Sequence, residues 1–71
     1  MMRFEYDKEV DAAYLYLEYP LKEGSAANTV KASESVALDF AVDGRLLGIE
    51  ILGASKTLSK KALMDALHPP R

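Results

Sequence analysis

The chain has no cysteine, no tryptophan and a single histidine in 71 residues. Without cysteine there can be no disulfide and no thiolate metal site. The one histidine, His68, stands beside Pro69-Pro70 and has no second imidazole to share a metal with. No apolar run approaches the roughly 20 residues that a membrane span needs. No signal peptide opens the chain, so the expected address is the cytoplasm. Basic residues are scattered: Lys60-Lys61 is the only adjacent pair and the net charge is −2, which argues against a nucleic-acid partner. No cofactor and no metal are expected.

Seventy-one residues make one domain, residues 1–71, with an ordinary globular composition. A domain near this length buries only about 60% of the surface its unfolded chain exposes, so its stability margin is thin. Small domains widen that margin with disulfides, metals or a partner subunit. With the first removed, a homodimer is the favoured remedy.

What the chain does have is alternation. In Val36–Leu52, VALDFAVDGRLLGIEIL, the residues Val36, Leu38, Phe40 and Val42 alternate with smaller or polar ones, as do Leu47, Ile49 and Ile51. A period of two marks a strand with one face on a core. Asp43-Gly44 between the runs predicts a two-residue type I′ hairpin, with Val42 facing Arg45, Phe40 facing Leu47, Leu38 facing Ile49 and Val36 facing Ile51. Phe40 is the expected core anchor. Asp39 and Glu50 fall on the opposite face.

Ahead of this ribbon, Met1–Tyr6 reads as a first strand and Asp7–Asp11 as a polar turn. Ala12–Tyr19 is a second strand, with Ala13, Leu15 and Leu17 on one side and Tyr14 and Tyr16 on the other. Both sides are greasy, which suits a central strand or an interface covering the tyrosines. Pro20–Asn28 has loop composition. Thr29–Ser35 is a polar, lysine-bearing strand suited to a sheet edge. After Gly53 the period changes. Ser59 is the expected N-cap of a short helix whose stripe of Leu58, Ala62, Leu63, Ala66 and Leu67 can lie on the sheet before Pro69-Pro70. The fold class is α+β: an antiparallel β-meander of four to five strands with a short C-terminal helix.

Three constellations invite chemistry. Asp7, Glu9, Asp11 and Glu18 match positions 1, 3, 5 and 12 of a calcium loop, but Ala12 stands where the sharp turn demands glycine. A solvated acidic turn is the commoner outcome. Asp39 and Glu50, diagonal neighbours, could divide acid and base roles as a minor hydrolase would. Two solvated acids are the commoner outcome here as well, and a small domain shelters such a pair poorly. Ser55 and Ser59 read as turn and cap residues rather than nucleophiles, because no nucleophile elbow surrounds them.

FEYDKEVDAAYLYL and ALDFAVDGRLLGIEILGASKTL together resemble the domain of unknown function 2283 family of small prokaryotic proteins. The landmarks are Tyr6-Asp7, Asp11, Tyr14, Asp39, Asp43-Gly44, the run Gly48–Leu52 and Ala54-Ser55. Gly53 departs from the pattern, which often has an acidic residue there. The resemblance implies no established activity. It implies a genomic association with small toxin-like proteins, and hence an antitoxin-like or interaction role. The expectation is therefore a non-catalytic interaction module with Tyr14 and Tyr16 at an interface. The alternative is a hydrolase or metal binder using Asp39, Glu50 and the Asp7/Glu9/Asp11 turn.

Overall fold

The computed structural model describes residues 2–22 and 24–67. Its strands are β1 (Arg3–Asp7), β2 (Ala12–Tyr16), β3 (Asn28–Lys31), β4 (Val36–Phe40) and β5 (Leu46–Leu52), followed by helices α1 (Ala54–Thr57) and α2 (Lys60–Asp65). All five strands join one antiparallel sheet in the order β1-β2-β5-β4-β3. The fold is thus mostly β, with the helices at the C-terminal end.

That order corrects the expected meander. Strands β3, β4 and β5 do follow one another, but β2 pairs with β5 and not with β3. The connection over 17–27 is long enough to carry the chain from mid-sheet to the far edge, so consecutive strands need not be neighbours.

The central ribbon keeps most of its expected register. Val36 pairs with Ile51, Ala37 with Glu50, Leu38 with Ile49 and Asp39 with Gly48. Its turn is different. The Ala41 N–H donates to the Arg45 carbonyl at 2.8 Å and the Gly44 N–H to the Ala41 carbonyl at 2.9 Å. The loop is therefore the three residues Val42-Asp43-Gly44, closing on a left-handed glycine at φ 90°. Asp43 does not adopt the positive φ that a type I′ turn needs. Its carboxylate instead accepts from the Arg45 N–H at 3.1 Å. Val42, expected on the core face, sits at the tip and is 92% exposed. Phe40 pairs with Leu46, not Leu47, and the register shifts between Asp39 and Phe40. The extra loop residue and the extra residue of this β5 bulge cancel, so the ribbon leaves the bulge in the register that the alternation demanded.

Strand β1 starts at Arg3, leaving Met2 largely exposed. Strand β3 stops at Lys31, because the Ser33 hydroxyl accepts from the Ser35 and Val36 N–H groups and turns the chain back. Its edge position is as expected. Ser59 caps α2, its hydroxyl accepting from the Ala62 N–H at 3.1 Å. Helix α1 is unforeseen; it starts where Gly53 takes φ 58°. Leu67, expected on the helical stripe, instead runs beside β1. It accepts from the Tyr6 N–H at 2.7 Å and donates to the Phe4 carbonyl at 2.8 Å. His68, Pro69 and Pro70 lie outside the described residues.

The core is a cluster of Tyr6, Ala13, Ile51, Ala54 and Ala66, with Phe4, Ile49, Leu58 and Leu63 packed against it. These residues come from β1, β2, β5 and the helical segment. Strands β4 and β3 add none, so Phe40 is only half-buried and is not the core anchor. That place in the ribbon belongs to the bulge residue Leu47, 1% exposed.

Candidate functional site: the open face of the sheet

The strand registers sort side chains onto two faces. Phe4, Tyr6, Ala13, Leu15, Ile49 and Ile51 point to the helices. Across the other face Tyr16 lies between Arg3 and Gly48, and Tyr14 between Glu5 and Glu50. No described helix packs on this second face.

Tyr14 reaches over the neighbouring strand because Gly48 stands there. A Cβ at Gly48 would run into the Tyr14 ring. The ring fills the gap that glycine leaves in the sheet surface. Its hydroxyl donates to Asp39 Oδ2, and the Thr29 hydroxyl donates to Asp39 Oδ1 at 2.6 Å. Burial and the hydrogen bond to Asp39 push the Tyr14 phenol well above the usual tyrosine range, so it stays protonated at neutral pH. Tyr14 also packs on Tyr16 with ring centroids 4.5 Å apart, and Tyr16 meets Tyr19 edge-on at 5.1 Å. The Arg3 guanidinium sits 4.6 Å above the Tyr19 ring and pairs with Glu5. The result is a row of three tyrosines held at one end by Asp39 and at the other by Arg3.

A second carboxylate organises the opposite end of β2. Asp11 accepts from the Tyr6 hydroxyl at 2.7 Å, the Ser55 hydroxyl at 2.7 Å and the Ser55 N–H at 2.9 Å. Its backbone takes the left-handed conformation, φ 52°, and its carbonyl accepts from the Ala54 N–H at 2.9 Å. The Ser55 hydroxyl first, then the Tyr6 hydroxyl, hold the Asp11 carboxyl below the ordinary aspartate range. This clip ties the β1–β2 turn to the start of α1.

Residues 3–55 match the family model described as Protein of unknown function (DUF2283). The chain belongs to that family. Neither a curated protein nor a solved structure matches it. The DUF2283 landmarks fall into the networks just described: Tyr6, Asp11, Ala54 and Ser55 in one, Tyr14, Asp39 and Gly48 in the other, with Asp43-Gly44 closing the ribbon. In this DUF2283 chain Asp11 clips the β1–β2 turn to α1, and Asp39 clips β4 to β2 and β3.

Tyr14 and Tyr16 are neighbours on the open face. Asp39 and Glu50 share that face as diagonal neighbours, but both Asp39 oxygens receive hydroxyl donors from within the chain. Glu50 lines a shallow hollow with Thr29, Lys31 and Glu34, in which Asp39 takes no part. Asp11 is spent on Tyr6 and Ser55, and Asp7 Oδ1 accepts from the Glu9 N–H at 3.1 Å. Among the described residues no three His, Cys, Asp or Glu side chains are grouped to hold a metal ion, and no helix is long and apolar enough to cross a membrane. Sequence reasoning did not single out Arg3, Tyr19 or Thr29. The signal for Tyr19 was available: Tyr14, Tyr16 and Tyr19 form a run of aromatics ending at Pro20.

Proposed function

We propose that this chain is a small non-catalytic interaction module that self-associates and offers its tyrosine face to a partner protein. The observation that carries this reading is the row Tyr14, Tyr16 and Tyr19, packed ring against ring on the side of the sheet that no described helix covers. Tyrosines bring large apolar area with a polar tip, and they are enriched at protein interfaces. Rings already ordered by Asp39 and Arg3 lose little conformational freedom on binding. The flanking Arg3, Glu5 and Glu50 supply a charged rim.

The partner class favoured by the family's gene context is a small toxin-like protein, which makes the module antitoxin-like. Co-expression with the product of the adjacent gene, followed by affinity capture, tests it. The native chain should retain that product, and a Tyr16→Ser/Tyr19→Ser variant that keeps its native circular dichroism should lose it. Absence of any complex with neighbouring gene products, or equal capture by the folded double variant, overturns the reading.

A further inference from the structure

The two edges of the sheet are finished differently. Hydrogen bonding alternates along each strand, so the outward backbone groups of β1 are those of Phe4 and Tyr6, of which the Phe4 carbonyl and the Tyr6 N–H meet Leu67. At the other edge the Ala32 N–H donates to the Val36 carbonyl, which makes the pairs 30–38 and 28–40 the inward-bonded ones. The backbone groups of Thr29 and Lys31 therefore point away from the sheet, and no described residue meets them. All four residues of β3 are exposed. Natural edges are blunted by proline, bulges or inward-pointing charge. Asn28-Thr29-Val30-Lys31 has only the lysine.

We infer that this edge pairs with β3 of a second copy of the chain, antiparallel about a twofold axis through Val30, to form a continuous ten-stranded sheet. The inference rests on the self-association proposed above and assigns its surface. Only one register fits the exposed groups well. Thr29 pairs with Lys31 of the second copy through two hydrogen bonds, Lys31 pairs with Thr29 in the same way, and Val30 faces its own copy in a close non-hydrogen-bonded pair. On the helix side this sets Val30, 44% exposed in the single chain, against an identical apolar neighbour. On the tyrosine side each Lys31 meets a hydroxyl and not a second lysine. Lys31 makes no ion pair among the described residues. Across the axis it stands beside a Thr29 hydroxyl that already donates to Asp39 and keeps lone pairs to accept from an ammonium. The one guard residue of this edge thereby gains a hydrogen-bond acceptor on the second strand instead of facing a like charge.

The absence of cysteine makes the test clean. Cα atoms of a non-hydrogen-bonded antiparallel pair lie about 4.5 Å apart, within disulfide range. Under mild oxidation Val30→Cys should form a disulfide-linked dimer nearly quantitatively, while Val42→Cys at the hairpin tip should not. Lys31→Pro removes two of the four intermolecular hydrogen bonds but none from the β3–β4 ladder. It should weaken dimerisation by about tenfold or more with native circular dichroism retained. A dimer that persists unchanged in Lys31→Pro, or whose Val30→Cys form stays unlinked, refutes this edge while leaving self-association intact. A chain monomeric at all concentrations refutes both.

Discussion

Replacing Gly48 by alanine should destabilise the protein, although alanine is ordinarily the better residue within a strand. Relief of glycine's extra backbone entropy favours alanine by about 0.5–1 kcal/mol. Against it, the new Cβ meets the far end of the Tyr14 ring. The ring could swing aside cheaply if it were free, but its hydroxyl is bound to Asp39 and it packs at a tilt against Tyr16. Moving it gives up a hydrogen bond to a carboxylate, about 1.5–3 kcal/mol when well buried and discounted here to about 1.5 for partial exposure. It also gives up a ring contact worth about 0.5 kcal/mol. The balance is a net loss of about 1 kcal/mol, or a fall in Tm of roughly 4–8 °C for a domain this small. Thermal unfolding followed by circular dichroism reads it directly. The decisive arm is the same substitution in a Tyr14→Ala background, where the colliding ring is gone and alanine should become neutral to stabilising. An alanine equally costly in both backgrounds would rule out collision with the Tyr14 ring as the cause.

Three further outcomes follow from the same contacts. Leu47→Ala should cost about 2–5 kcal/mol and more than Phe40→Ala, because the bulge residue is enclosed and Phe40 is half-open; chemical denaturation of the two variants settles the order. Asp11 titrates below its ordinary value of 3.8, so its contribution is complete above that pH and is lost as pH falls through the depressed value. Asp11→Asn should therefore flatten the acid limb of a stability–pH profile below about pH 4, and an unchanged limb would remove Asp11 from the clip. Tyr14 titrates above its ordinary value of 10.0, so its contribution is present below pH 10 and is lost at more alkaline pH. Ultraviolet titration of Tyr14→Phe should lack the most alkaline tyrosine ionisation of the native chain.

Much of this architecture can be read from periodicity alone. The alternation in 36–52 identifies the central ribbon and its register past the bulge, because one apolar face leaves little freedom to slip. The double-sided greasiness of Ala12–Tyr16 places β2 inside the sheet, and the Ser59 cap marks the start of α2. The hairpin turn escapes such reasoning, since Asp43-Gly44 serves a two-residue loop and a three-residue loop equally well. What decides is the bulge at Leu46–Leu47, a tertiary compensation that leaves no local mark. Strand order is hidden for a related reason: the segment 17–27 states its length but not its destination.

The candidate site is legible in its members more than in its wiring. Tyr14, Tyr16, Asp39 and Glu50 fall on one face by parity. That Asp39 binds Tyr14 rather than acting beside Glu50 depends on Gly48, whose missing side chain lets a ring from the neighbouring strand reach across. The link from Asp11 to Ser55 joins residues far apart in sequence, and nothing in either local pattern announces it.

Whether the module is completed by a second copy of itself is read from the mass of the unmodified chain in solution. Sedimentation equilibrium at micromolar concentration should return twice the 7.8 kDa of one chain. A single-chain mass that persists as concentration rises would contradict it.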